Sequence, residues 1–479
     1  MHHILAFCLL ASACAAAPLN VVQQGADPTG QRDCTALLTR LHATGSPIYY
    51  PNGAYRFNGK TLDLSGGVRF ESATGVTVHN DESPLNILQF DDAGHLIGLQ
   101  HNHLELNETT LGGPMPTDCG TLVRPPLSTV KLDRKVDLLV HWYNDFGLEC
   151  RRHGGGWIGW YYWTRNFHGA EGDGYDPARH PLLGFYRGDD PTVLDWQCYW
   201  LREYGVTGAI LQTGSDLQNW AQPTNGNYWL NRLFTATPNF RGLKYVLTAP
   251  TPYSSSTPAA IAQVRQDWGA LIAGVYLRYP NCYTIERGGK RYPLLYLHEE
   301  GGLTGVFDNY SGCAKTLDFY REIAALFRSK GFGGVALLAR HGIGSGQADF
   351  AALERDGVLH FSGGYAETSS TGAAYADLVA NFSPSTDPRA IVNTFTAVHS
   401  HTPHPSKWVC PGNTPALFRL LLEKAVAHIE RNRLQPIVTC YNMAEWAEGG
   451  PGLQPSMQDR FGYLQAVRDA IVTKHSPQN

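Results

Sequence analysis

Two acidic residues three positions apart, Glu445 and Glu448, stand in the pentad Glu445-Trp446-Ala447-Glu448-Gly449, just behind the apolar run 436–441. Paired carboxylates at the outlet of a buried strand are equipped for glycosidic-bond chemistry, where one group gives or takes a proton while the other does the opposite job. Trp446 between them offers an aromatic face suited to the C–H surface of a sugar. The plainer alternative is a solvated turn before a last helix, and Gly449-Gly450-Pro451-Gly452 does indicate a tight loop.

Other residues with chemical capacity follow other apolar runs. His141, Tyr143 and Asp145 close the run 136–143, and His298, Glu299 and Glu300 follow 294–297. Arg340 and His341 come after 333–338, Tyr365 after 358–361, His399 and His401 after 391–395, and Tyr441 ends the last run. Each one taken alone has an ordinary reading as a helix cap or loop hydrogen-bonding group. Adjacent carboxylates beside His298 are costly unless positive charge or a sugar hydroxyl compensates them. His399, His401 and His404 match no standard zinc spacing, so neither a metal nor another cofactor is expected. Polar, acidic and aromatic side chains in so many of these positions describe a carbohydrate cleft better than an apolar ligand pocket.

The elements that must position these residues are legible in the pattern. Between 134 and 475, the apolar segments 136–143, 206–211, 243–247, 294–297, 333–338, 358–361, 391–395 and 436–441 are interleaved with amphipathic stretches at 191–204, 259–275, 316–330, 415–432 and 458–472. Continuous apolar strands separated by helices predict a parallel sheet buried on both faces. Eight such units predict an α/β fold of the (β/α)8 TIM-barrel type, whose active site gathers at the C-terminal strand ends. An open doubly wound sheet is the alternative, but no glycine fingerprint for a dinucleotide follows a candidate strand. Residues 18–110 have a different texture. A short helical stretch, 34–42, precedes brief β-rich pieces at 48–50, 54–57, 62–64, 68–70 and 76–78, which predict a small β-rich accessory module of stacked rungs. A Gly- and Pro-rich linker at 111–133 separates the two.

A chain of 479 residues suits one large domain and one smaller one. Its net charge of -4, without a basic block, argues against nucleic acid as a partner. Residues 1–17 read as a secretory signal: an apolar segment at 4–10 precedes the small residues 11–17, too short to span a bilayer. The expected location is therefore extracellular. Ala11-Ser12-Ala13-Cys14 loosely resembles a lipobox, so a periplasmic or lipid-anchored form at Cys14 is the variant. No later run is long enough to cross a membrane. Of 10 cysteines, Cys8 and Cys14 fall in the leader, and the even remainder in an exported chain predicts disulfides. Cys282 with Cys313 is a candidate local staple, whereas Cys198 and Cys440 are candidates for buried free thiols.

The segment Tyr441-Asn442-Met443-Ala444-Glu445-Trp446-Ala447-Glu448-Gly449 resembles the N-E-W-x-E-G signature of glycoside hydrolase family 99 and the related WbsX-type proteins. Leu453-Gln454-Pro455 is similar to their L-E-P, and His180-Pro181-Leu182-Leu183-Gly184-Phe185-Tyr186 to their approach to the second strand. Asp195-Trp196-Gln197 and Glu203-Tyr204-Gly205-Val206-Thr207-Gly208 resemble the helix and strand that follow. The resemblance implies a (β/α)8 barrel and a retaining endo-α-mannosidase chemistry, in which the sugar's own 2-hydroxyl acts as nucleophile. It implies Glu445 as the base assisting that hydroxyl and Glu448 as the acid protonating the leaving oxygen. A general acid of this kind needs a raised pKa, from burial or a neighbouring carboxylate. Ala444 replaces the family's Asn, and Ala447 replaces the His of the mannosidases, so the carboxylate pair carries over better than mannose does. A polysaccharide lyase or glycosyltransferase on the same scaffold, or a non-catalytic carbohydrate-binding protein, are the alternatives. At the N-terminus, Gly25-Ala26 through Gly30 and Pro51-Asn52-Gly53-Ala54-Tyr55-Arg56-Phe57 resemble the opening of pectate-lyase-like right-handed β-helices.

Overall fold

The computed structural model describes residues 17–99, 121–142, 181–211, 228–248, 258–297, 313–339, 350–363, 374–396, 412–444 and 452–473, with short gaps inside the first, third and last of these stretches. The chain divides into two compact units, one up to Leu104 with Gly120–Val123, the other containing everything from Arg124 onward.

In the larger unit, eight strands are each followed by a helix. The strands are β1 Asp137–Trp142, β2 Gly208–Leu211, β3 Lys244–Thr248, β4 Lys290–Leu297, β5 Val335–Ala339, β6 Val358–Ser362, β7 Val392–Phe395 and β8 Ile437–Tyr441. The helices are α1 Pro191–Glu203, α2 Tyr228–Ala236, α3 Pro258–Leu271, α4 Cys313–Arg328, α5 Phe350–Arg355, α6 Tyr375–Ala380, α7 Pro415–Asn432 and α8 Gly462–Ile471. From β1 through β6 each strand pairs in parallel with the next, as does β7 with β8, and β8 returns to β1 through the register Asp137↔Ile437 to Val140↔Cys440. A parallel bridge, Ser362↔Ala390, joins β6 to the entry of β7, with Ile391 N–H donating to the Ser362 carbonyl at 2.8 Å. The ring is closed in sequence order, which is the expected (β/α)8 barrel.

The strands fold this way because both of their faces are covered. Every residue of β2, β5 and β8 is buried, as a parallel sheet wrapped in helices requires. Leu139, Ile210, Val246, Tyr296, Leu338, Phe361 and Ile437 fill the interior as one apolar cluster. Helix starts are chemically marked. Asp190 caps α1 by accepting from the Thr192 and Val193 N–H groups ahead of Pro191, and Thr414 caps α7 ahead of Pro415. One strand begins earlier than its apolar core. β4 is the second arm of a hairpin with Thr284–Arg287, turned by Gly288 at φ 60° and Gly289 at φ 72°, the paired left-handed conformations of a type I′ turn.

The smaller unit is built of stacked rungs, as its texture predicts. Each coil gives one strand to each of two parallel sheets: Leu19–Asn20, Ile48–Tyr50 and Val68–Phe70 in one, Thr29–Asp33, Gly53–Arg56 and Val76–Asn80 in the other. Helix Thr35–His42 turns Leu38 and Leu41 onto a core of Ile48, Tyr50, Tyr55, Phe57 and Val78. His42 is buried there between the Asp63 carbonyl at 2.8 Å and the Tyr50 hydroxyl at 2.9 Å, and burial lowers its pKa. Residues 62–64 form no strand; Leu62 and Leu64 are buried as irregular chain.

The expected disulfides need correction. Cys34, Cys198, Cys282 and Cys440 are buried free thiols, so the staple between Cys282 and Cys313 is not formed. Cys282 bridges Tyr245 at the start of β3, whereas Cys313 opens α4, which follows the far end of β4. The two lie toward opposite ends of the barrel, and a disulfide needs Cα atoms about 5.5–6 Å apart.

Candidate functional site

The C-terminal strand ends are where a barrel of this kind gathers its chemistry. Two of the residues singled out from sequence are described there. His141 points inward from β1, its ring meeting Tyr296 of β4 edge-on at a centroid distance of 4.8 Å and lying 6.4 Å from Tyr441 of β8. All three rings are at most 2% exposed, so they form an aromatic packing layer rather than an open surface. Glu445, Trp446 and Glu448 lie outside the described residues, as do Tyr143, Asp145, His298, Glu299, Arg340, His341, Tyr365, His399 and His401.

The flanks of the acidic pentad are described, and they are tightly held. The Tyr441–Asn442 peptide at the end of β8 is cis. Met443 then donates its N–H to the His141 carbonyl at 2.7 Å, which ties the exit of β8 to β1. On the return, the Leu453 and Gln454 N–H groups donate to the Asn442 and Met443 carbonyls at 3.1 and 3.0 Å. Residues 442–444 and 452–454 therefore run side by side at the outlet of the last strand, with the pentad between them in sequence. Gly452 is where this close approach needs glycine. It adopts φ +61°, and a Cβ there would collide with the Asn442 side-chain oxygen and come within 2.5 and 2.6 Å of the Asn442 and Met443 carbonyl oxygens.

Gln454 extends the attachment sideways. Its Oε1 accepts from the Tyr186 hydroxyl at 2.7 Å and from Gln197 Nε2 of α1 at 3.4 Å. Leu182 N–H donates to the Pro455 carbonyl at 2.9 Å, and Pro181 forms a bridge with Ser456. The segment before α1 and the segment before α8 are thereby laced together. Inside the barrel, Asn393 of β7 accepts a hydrogen bond from the Thr439 hydroxyl of β8 and is partly exposed, unlike the apolar residues around it. Sequence reasoning passed over Asn393, Gln197 and Gln454. The available signal was a polar residue inside an apolar strand or helix, where alternation or helical spacing demands burial.

The opposite end is closed by structural polar contacts. Asp137 at the start of β1 accepts from the Thr207 hydroxyl at 3.0 Å and the Tyr283 hydroxyl at 2.7 Å. A cleft of about 210 Å³ lined by Tyr276, Cys282, Arg291, Lys330 and Phe332 lies at this face, by the beginning of β4, away from the strand ends. Among the described residues no cluster of His, Cys, Asp or Glu is arranged to hold a metal ion, and no helix is long and apolar enough to cross a membrane.

No family model matches the chain, and no curated protein matches it. It is similar in fold to solved structures at low identity. An endo-alpha-mannosidase of glycoside hydrolase family 99 from Bacteroides thetaiotaomicron is 13% identical, with a TM-score of 0.41 over 71% of this chain and 99% of that one. A glycoside hydrolase-like protein is 12% identical, with a TM-score of 0.44 over 74% and 98%. A beta-glucosidase from Thermotoga maritima is 13% identical, with a TM-score of 0.36 over 70% and 98%. The assignment of the barrel rests on its own strand order and closure, not on these likenesses.

Proposed function

We infer that the chain is an exported glycoside hydrolase, endo-acting and retaining, which cleaves glycosidic bonds in a polysaccharide or glycan with Glu445 and Glu448. The observation that carries this reading is the paired anchoring of residues 442–444 and 452–454 at the outlet of β8. That pairing tethers the two carboxylates, from both sides in sequence, to the end of the barrel where catalytic groups of this fold reside. In this scheme Glu448 protonates the leaving oxygen while Glu445 acts as base toward the 2-hydroxyl of the sugar. The resemblance of the 441–449 segment to family 99 supports the same roles.

The test is a panel of polysaccharides incubated with the purified protein, with products separated by chromatography and the first anomer released identified by NMR. Wild-type protein should release saturated oligosaccharides with retained configuration. Glu445→Gln and Glu448→Gln should each slow turnover by about 10²–10⁴-fold, the usual contribution of a positioned acid or base, without loss of secondary structure. Unsaturated products absorbing in the ultraviolet would replace the reading with a lyase, and near wild-type rates in both variants would remove the pair from the chemistry.

A further inference from the structure

A buried polar knot sits beside the flanks of the acidic pentad, and the barrel's architecture alone does not call for it. Gln454, Tyr186 and Gln197 are each at most 2% exposed. Gln197 lies on α1 among Leu194, Trp196, Trp200 and Leu201, in a helix buried from Val193 to Leu201. Its Nε2 reaches Gln454 at 3.4 Å, and its Oε1 finds no hydrogen-bond partner. Leaving a buried polar atom unsatisfied costs about 1–3 kcal/mol, which an apolar side chain of the same shape would avoid. A carboxamide at this position is therefore poor packing, and its described contact is the Gln454 acceptor. The backbone of Gln454 in turn donates to Met443 at 3.0 Å, two residues beyond Gly452.

We propose that Gln454 is the positioning residue of the acidic pair: by accepting from Tyr186 and Gln197 it locks the return of the chain against residues 442–443 and so sets the separation of Glu445 and Glu448. The inference rests on the glycosidase reading of that pair. Separation matters because retaining enzymes hold their carboxyl groups about 5–5.5 Å apart and inverting ones about 6.5–9.5 Å. A misplacement of about 1 Å is enough to cost on the order of 10²-fold in rate. The two acids also titrate as a coupled pair, so a change in spacing moves both apparent pKa values.

Three variants separate positioning from simple stability. Gln454→Met keeps the volume and removes the acceptor, Tyr186→Phe removes one donor oxygen, and Gln454→Glu keeps an acceptor. Two readouts are taken on the full chain: hydrogen exchange by mass spectrometry over peptides spanning 442–455, and kcat, KM and pH profile on the polymer found by screening. Gln454→Met and Tyr186→Phe should raise exchange across 442–455 at least tenfold while peptides of β1 to β5 keep their protection. They should lower kcat at least tenfold, leave KM within threefold and displace the alkaline limb of the pH profile, with Gln454→Glu recovering most of the loss. Unchanged exchange over 442–455 in Gln454→Met would overturn the proposal. A rate loss that tracks a global fall in Tm, with the pH profile unmoved, would overturn it too. If the wild type turns over no polymer and Glu445→Gln changes nothing, the glycosidase reading fails on its own, and the exchange measurement still decides whether the knot holds the segment.

Discussion

At the scale of single residues, the chemistry-bearing side chains divide into those announced by their neighbours and those hidden by them. Glu445 and Glu448 stand out because two acids and a Trp follow an apolar run. Gln197, Asn393 and Gln454 do not, since one polar residue inside a hydrophobic element looks like noise until its partner is known. His360 is a residue of the second kind with a measurable signature. It is buried on β6, and burial, with Arg389 nearby, lowers its pKa to about 3. The folded barrel thus keeps His360 neutral while the unfolded chain protonates it near pH 6.5. Below that pH the unfolded state binds the extra proton, so the stability contributed by neutral burial is present above about 6.5 and is lost as pH falls toward 3, by up to about 1.4 kcal/mol per pH unit. Urea unfolding at pH 6.5 and pH 5 should therefore show this group alone removing about 2 kcal/mol in the wild type. A His360→Leu variant should lack that component of the slope.

At the scale of elements, the barrel strands were legible because burial on both faces writes continuous apolar runs. The segment 436–441 became Ile437–Tyr441, and 358–361 became Val358–Ser362. Helix 415–432 appears with those same bounds as Pro415–Asn432, since Thr414 and Pro415 mark its start and left-handed Arg433 its end. Helices α2, α5 and α6 were not legible: α5 and α6 are barely two turns long, too short for a periodic stripe to register. The last helix begins at Gly462 rather than near 458, because Ser456 first accepts from the Asp459 and Arg460 N–H groups in a turn. The return of the chain at Gly452 was read only as a tight loop. Its pairing with residues 442–443 depends on a tertiary approach that no local pattern encodes. Gly452→Ala should cost about 1–3 kcal/mol for the forced left-handed backbone, more if the Asn442 contact cannot relax, as measured by thermal or urea unfolding. Turnover should fall further than stability, because the substitution pushes directly on the segment that carries the acids.

At the scale of the whole molecule, the division into two units was legible from texture, but the stretch between them was read too uniformly. Residues from Arg124 onward belong to the barrel unit. Ser128 donates its N–H to Asn239 at 2.8 Å and its hydroxyl to Glu203 at 2.6 Å, while the Pro126 carbonyl accepts from the Asn239 side chain at 3.1 Å. Arg124 stands 4.0 Å from buried Asp195, whose pKa burial raises. A chain beginning at Arg124 should therefore resist urea better than one beginning at Arg134, by about 2–4 kcal/mol, since the shorter chain leaves Asp195 and Asn239 without these partners. The ring of strands carries one further consequence. β6 and β7 are joined by the single bridge Ser362↔Ala390, whereas every other neighbouring pair shares at least two registered residues. A cylinder fastened so unevenly has a preferred line of parting: fluctuations that widen it break fewest backbone hydrogen bonds along that join, so local opening is cheapest there.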